Sequence, residues 1–485
     1  MSLKKIKNFW KNTNKEDKLY WAVIGIIFFV FVLQALFFAF YIKKNLPPDE
    51  FYHIKLSEIY SKHFGLVNNS EDTYYLGEIS RVPFLFHWLA GRVINIKNLI
   101  LPNLMNYIAL RLFSVFISCL NVFIAFKIIR FLIKDKLAHI LFLIMLTNTL
   151  MFVFISGAVS YDSLSVLFSA LIILFTLKLF QNHNIETLAL VVLFTLLGCI
   201  TKVTFLPLAV ISTIFLVIHE IKHIKKYQAD IKEIFKIKQD KLLRFIVLTV
   251  IILSFLVLNM NLYGTNLIRY HSIKPSCVEV MKVEQCMKNA GFASYFELEK
   301  IAPSQDSLLK LFWYIPHWIH LMIDRTYGVF THLKLSLTYE WFLCYFSTFV
   351  LSVIKFIRDY DKKRVEHSYF IFLIVFYTII LMVFTNYPAY KTHGIIHAGV
   401  QGRYMFPVLI PLYALLSSSI LSFKNKYIRW ILFIFVMVVF LFGNIPFFIR
   451  NVTDEWFTTG SNGLVILEFI KKCFYFFFDK IKNLL

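Results

Sequence analysis

No Gly-x-x-x-x-Gly-Lys segment occurs in this chain, and without that phosphate-cradling loop an ATP-driven pump or an energised intracellular donor has no site to rest on. Cysteines are few and scattered, at positions 119, 199, 277, 286, 344 and 473, with no Cys-x-x-Cys pair to suggest a zinc or redox centre. Only Cys277 and Cys286 share a polar loop, where an external setting permits a local disulfide and free thiols are the alternative. No small-residue cleavage site follows Lys4 to Lys18 and the first apolar run, so that run reads as a retained anchor rather than a cleaved signal. No internal repeat or low-complexity segment stands out.

Acidic residues are also few, 29 against 51 Lys and Arg, for a formal charge of +22. Such a charge raises nucleic acid as a partner, but lysine-rich short loops of a membrane protein produce the same figure, and nucleic acid is set aside. What the chain has in abundance decides its class: 58% of its 485 residues are hydrophobic, 18% are aromatic and 54 are Phe. It is an all-α polytopic membrane protein. The apolar stretches, about 18 to 23 residues long, fall near 20–42, 108–130, 137–156, 163–180, 188–203, 205–219, 245–262, 339–357, 368–386, 404–421 and 430–447, which makes about eleven crossings.

Orientation follows from Lys and Arg in the short loops. The N-terminus, 222–244, 355–364 and 424–429 carry the positive charge and are read as cytoplasmic. Residues 1–19 are then a cytoplasmic N-terminus, and 20–447 form the transmembrane domain of a cell-membrane protein. Loops 43–107, 157–162, 263–338 and 387–403 lie outside, as does the tail 448–485. Pro83-Phe84-Leu85-Phe86-His87-Trp88-Leu89 is too apolar to be solvated and reads as an interfacial helix, and Leu308 to His320 reads as interfacial or re-entrant, with a twelfth span as the alternative. The run 464–485 has Lys471 and Lys472 in its middle and reads as an amphipathic helix lying on the membrane.

The candidate chemistry gathers on the outer side. Leu46-Pro47-Pro48-Asp49-Glu50-Phe51-Tyr52-His53 places two adjacent carboxylates where the chain leaves the bilayer. Asp49 as N-cap with Glu50 in the first turn is one reading; a general base for an acceptor hydroxyl is the other. Ser160-Tyr161-Asp162-Ser163 brings another carboxylate to the same face, as a site residue or as a cap. Lys202, in Thr201-Lys202-Val203-Thr204-Phe205-Leu206-Pro207, either snorkels or meets an anion. Gln401-Gly402-Arg403-Tyr404-Met405-Phe406-Pro407 offers a planar guanidinium suited to phosphate or to anchoring a helix end. Lys391 is a further phosphate candidate, and His53, Arg81, Gln401 and Tyr404 are supporting candidates. Together the set suits a base that activates a hydroxyl and cations that stabilise a departing lipid phosphate. A transporter or flippase for lipid-linked sugars is the runner-up, and a non-catalytic scaffold a third reading.

Pro48-Asp49-Glu50, Ser160-Tyr161-Asp162-Ser163, Lys202 with Pro207, and Gln401-Gly402-Arg403-Tyr404 with Pro407 resemble a bacterial family of multi-pass membrane proteins designated a domain of unknown function. That family resembles the GT-C glycosyltransferases, which take sugars from polyprenyl-phosphate carriers, and the likeness extends over about 20–420. The resemblance implies inverting transfer to a surface polysaccharide, teichoic acid, lipid or protein. Asp49 would be the base with Glu50 as substitute, and Asp162 would orient the acceptor or a divalent cation. Relatives show Pro-x-x-Tyr-Tyr where this chain has Pro83-Phe84-Leu85-Phe86-His87, a departure in the first loop.

Overall fold

The computed structural model describes residues 14–237, 239–300, 309–361 and 364–458. The chain opens with α1 (Lys15–Tyr41), α2 (Glu50–Lys62), α3 (Leu85–Ile100) and α4 (Asn106–Leu132). A broken pair, α5 (Lys136–Thr147) and α6 (Leu150–Ser156), precedes α7 (Tyr161–Asn182), α8 (Ile185–Cys199), α9 (Leu206–Glu220), α10 (Ile224–Ile237) and α11 (Gln239–Asn259). Short helices then lead to α12 (Leu311–Tyr327) and a two-residue antiparallel ladder of β1 (Val329–Phe330) with β2 (Lys334–Leu335). Next come α13 (Tyr339–Asp359), α14 (Val365–Ile379), α15 (Tyr387–His393), α16 (Phe406–Leu421) and the bent pair α17 (Lys426–Phe442) and α18 (Ile445–Asn451).

Among the described residues, 8 helical segments are long and apolar enough to cross a bilayer, or 10 if each bent pair is one crossing. The expected count of eleven is not confirmed by these segments, beside which α8 stands as a shorter apolar helix. Residues 188–203 were expected to span; their helix, α8, has 15 residues, shorter than the counted segments, and it returns the chain to the end where Lys202 pairs with Asp162. Residues 311–327, with Pro316 inside the helix, are not among the crossing segments. The amphipathic tail expected at 464–485 lies outside the described residues.

Helices α7 and α16 form the centre, with 78% and 72% of their most apolar windows buried, whereas the segment Lys241–Tyr270 buries only 6% and presents its apolar side outward. That outward surface matches a lipid solvent. At the 66° break between α5 and α6 the Met145 carbonyl accepts from Thr149 Oγ1 at 2.8 Å, a side-chain repair for a broken membrane helix. Thr147 Oγ1 and Asn148 Nδ2 donate to the carbonyls of Leu143 and Ile144 at 2.7 and 2.9 Å, of which Ile144 also accepts the Asn148 amide at 3.0 Å. Asn148 Oδ1 also accepts from Asn444 Nδ2 at 3.0 Å, and Asn444 immediately precedes α18 at the second break. The two bends therefore brace one another.

The ends of the bundle differ in chemistry. At one end Arg364 donates to the Leu132 carbonyl and Lys226 to the Asn182 carbonyl, which caps helix C-termini with cations. At the other end the chain after α18 returns to the exit of α1, where Lys43 N donates to the Trp456 carbonyl at 2.9 Å and Thr458 N to the Tyr41 carbonyl at 3.1 Å. There the loop after α11 also leans on the loop after α2: Cys277 and Cys286 form a disulfide, Gln285 donates to Tyr74 Oη at 2.9 Å and Asn289 to the Tyr75 carbonyl at 2.9 Å.

Candidate functional site

The site begins where α1 ends. Two prolines fix the entry, and Asn45 and Asp49 adopt the left-handed conformation at φ 65° and 59°, which Asn and Asp tolerate better than other residues with a Cβ. Asp49 precedes α2 but makes no side-chain capping bond. Its carboxylate instead takes Arg403, Nη2 to Oδ2 at 2.5 Å, and stays 52% exposed. The capping reading therefore fails for Asp49, and a carboxylate open to water remains.

Glu50 is the opposite case and corrects its expected role as substitute base. It is fully buried, with Arg111 Nε on Oε1 at 2.8 Å and Nη2 on Oε2 at 2.7 Å. The amides of Val159 and Asn45 donate to the same two oxygens at 3.1 and 2.9 Å. Arg111 spends its remaining donors on the carbonyls of Ala39, Ile42 and Lys43, at 3.0, 2.8 and 3.3 Å, capping α1. Glu50 and Arg111 thus tie together the exit of α1, α4 and the turn before α7, a framework with no open acceptor for a substrate proton.

That turn presents Asp162. Ser160 Oγ accepts from the Asp162 amide at 3.2 Å, so serine caps α7 and the carboxylate is left for the site. Gly157 lets the turn lie against α1, since a Cβ there would come 2.6 Å from the Ala35 carbonyl oxygen. Asp162, 2% exposed, pairs through Oδ1 with Lys202 Nζ and through Oδ2 with Arg403 Nη1 at 3.3 Å. Lys202 is itself buried, between the rings of Tyr161 and Tyr404 at 4.9 and 4.8 Å, a cation–π setting that stabilises an ammonium with little water around it. A snorkelling lysine would hold its ammonium in water; this one is buried within the protein.

Four loops distant in sequence thus meet in a chain of ion pairs, Lys202 to Asp162 to Arg403 to Asp49. Three members are buried and the last faces outward. Burial alone would raise the Asp49 carboxyl, but Arg403, with His53 and Lys202 behind it, outweighs burial and holds it down at about 2. His53 is fully buried, with Nδ1 2.9 Å from His87 Nε2. Burial pushes its imidazole down to about 4 against the pull of Asp49, and burial beside His53 pushes His87 well below the usual range. Both imidazoles are neutral at pH 7.

The remaining candidates divide. Tyr404 stacks on Lys202, and its carbonyl accepts from Tyr377 Oη at 2.8 Å. Gln401 precedes Arg403 with a buried Oε1 that has no partner. Lys391 belongs to α15, and the four-residue ion-pair chain does not include it. Arg81 lines a small cleft with Tyr60, Val67, Ser80, Phe84 and Leu262, a cleft that includes none of the ion-paired residues. Lys202 and Arg403 already pair with both Asp162 oxygens, and among the described residues no group of three or more His, Cys, Asp or Glu is arranged to hold a metal.

Sequence reading missed Arg111, His87 and the aromatic wall of Tyr161. Arg111 did leave a signal, an arginine within an apolar span, which in hydrocarbon calls for a named partner. Residues 88–412 match the family described as predicted membrane protein, DUF2142. The chain belongs to this family. No curated protein matches the sequence. Among solved structures, ArnT from Cupriavidus metallidurans matches in its apo state with 12% identity and a TM-score of 0.44, over 84% of this chain and 59% of that one. Its undecaprenyl phosphate-bound form matches with 12% identity and a TM-score of 0.46, over 84% and 60%. This chain therefore spans about three-fifths of the length of those neighbours.

Proposed function

We propose that this protein is a membrane glycosyltransferase that moves a sugar from a polyprenyl-phosphate donor to a hydroxyl of a cell-surface acceptor, at the outer face and with inversion. The observation that carries this reading is the half-exposed Asp49 carboxylate held on Arg403, beside the buried Asp162–Lys202 pair. In the resting arrangement Asp49 is a poor base, because Arg403 stabilises its ionised form. A donor phosphate competes for the same guanidinium, and as it takes Arg403 the Asp49 carboxylate regains basicity beside the sugar. Asp49 then accepts the acceptor proton as the new C1–O bond forms, and the C1–O bond to phosphate breaks with its electron pair leaving on the phosphate. Arg403 and Lys202 stabilise that charge, and Asp162 holds both cations in place.

The runner-up reading, a flippase for lipid-linked sugars, expects ionisable or broken-helix elements to form a substrate site near the bilayer midplane. Here the four charged residues sit at helix ends or turns, and the paired asparagines of the two breaks are hydrogen-bonded to each other. The deciding experiment incubates purified protein with a polyprenyl-phosphate sugar and an acceptor extract, and measures release of polyprenyl phosphate. Transport across vesicles with no release of lipid phosphate would replace the enzyme with the flippase.

A further inference from the structure

Arg325 lies in the last turn of α12, only 4% exposed, and among the described residues it makes no ion pair. Its guanidinium packs over Phe330, 3.7 Å from the ring centroid, and Nη1 donates to two main-chain carbonyls, those of Val400 and, at 3.2 Å, His397. Burying a cation without a carboxylate is costly, yet hydrogen bonds from a charged donor hold their acceptors more strongly than neutral ones. The segment so held, 397–402, runs directly into Arg403.

Two further contacts fasten the same segment to the same helix. Trp318 Nε1 donates to Asn386 Oδ1 at 2.8 Å, and Asn386 Nδ2 donates to the Gly399 carbonyl at 2.8 Å. Gly402 lies flat against the end of α12, where a Cβ would meet the Arg325 carbonyl oxygen at 2.1 Å, so the approach requires glycine. Arg403 has little of its own to fix it. Its Nε is buried without a partner, its guanidinium lies 5.7 Å from the Tyr404 ring centroid, and its ion-pair partners are the two carboxylates that a substrate phosphate would disturb. Where Arg403 reaches from is therefore set by its backbone, and its backbone is set by α12.

We propose that Arg325 is a positioning residue for the phosphate site: without touching substrate, it fixes segment 397–402 and so the point from which Arg403 meets the donor phosphate. The proposal rests on the glycosyltransferase reading, and the test separates the two. Full-length protein in detergent is compared with Arg325→Met by hydrogen–deuterium exchange and by titration with undecaprenyl phosphate. Exchange of peptides covering 397–405 should accelerate while those covering 50–62 stay unchanged. Affinity for undecaprenyl phosphate should fall about tenfold, the scale of one charge-assisted hydrogen bond. The donor KM should rise with kcat little altered, and adding Arg403→Lys to Arg325→Met should cost less than it does in the wild-type background. Unchanged exchange at 397–405, or full additivity of the two substitutions, overturns the positioning role. Absence of undecaprenyl phosphate binding by wild-type protein overturns the donor reading instead, whatever the exchange result. If Arg325→Met does not fold, Trp318→Phe, which removes only the indole donor to Asn386 and keeps a ring in place, is put through the same comparison: faster exchange at 397–405 with weaker phosphate binding supports the positioning of Arg403 by α12, and unchanged exchange there overturns it.

Discussion

Glu50 and Arg111 face one another through paired hydrogen bonds of 2.8 and 2.7 Å with both side chains fully buried. One residue earlier the Asp49 carboxylate is 52% exposed. Adjacent acids thus have opposite environments, and opposite consequences when neutralised. Glu50→Gln strands a buried guanidinium, a change that costs about 3–5 kcal/mol, so the variant should express poorly and melt well below wild type. The comparison is a thermal melt in a single detergent. A Glu50→Gln protein that melts normally but does not turn over would move Glu50 into the reaction.

Asp49→Asn removes a carboxylate that water already reaches, and because Arg403 keeps Asp162 as a partner its melt should fall less than that of Glu50→Gln. Turnover should not. Loss of a general base typically costs about 10²–10⁴-fold in rate, and the expected result is a folded variant that still binds undecaprenyl phosphate but releases almost none from a sugar donor. Full activity in Asp49→Asn would put the base elsewhere.

The apolar runs made the class and the helices readable, because a span must satisfy its backbone internally and its side chains must suit lipid. Grouping Asp49, Asp162, Lys202 and Arg403 was also within reach, since orientation by charge assigns all four to one face and ionised groups there need partners. What the sequence did not reveal was which acid is sealed. Asp49 and Glu50 are chemically alike and adjacent, and only Arg111, 61 residues away from Glu50, separates them by choosing one. The break at Asn148 was equally hidden, because the apolar run continues on both sides of it and Thr149 Oγ1 serves the Met145 carbonyl locally.

Stability should depend on pH through the buried imidazoles. His53 titrates near 4 in the folded protein and near 6.5 when unfolded. Between those values the unfolded chain binds the extra proton, so stability is complete above about pH 6.5 and is lost as pH falls toward 4. For His53 alone the loss between pH 7 and 5 is about 2 kcal/mol, and His87, pushed down more strongly, adds in the same direction. Melting temperature should fall over this interval, and His53→Asn should flatten the slope. A melt that is level from pH 7 to 5 would contradict neutral, buried histidines.

Orientation can be checked independently of activity. A reporter inserted within 222–235 should be cytoplasmic and one within 276–300 external, and after reduction Cys277 and Cys286 should react with a membrane-impermeant maleimide added from outside intact cells. Labelling only after lysis would reverse the topology and place the ion-paired cluster on the cytoplasmic face, where the donor would have to be met from within.

Arg403 offers the sharpest separation of phosphate recognition from anchoring. An interfacial anchor needs only a cation on a flexible stem, so lysine would serve. The guanidinium here does more, because Nη2 reaches Asp49 at 2.5 Å while Nη1 reaches Asp162 at 3.3 Å, and a single ammonium cannot reproduce that planar fork. In Arg403→Lys the charge remains, so insertion and melting should change little. Donor phosphate should bind more weakly by about 1–2 kcal/mol, the scale of a lost charge-assisted hydrogen bond. The carboxyl of Asp49, no longer gripped by the fork, should rise from about 2 toward the ordinary carboxylate range, moving the acid limb of the kcat/KM profile upward. Donor titration and that profile are measured together, in one detergent. Unchanged affinity with an unchanged acid limb would remove Arg403 from phosphate recognition and leave Lys202 as the cation that meets the donor.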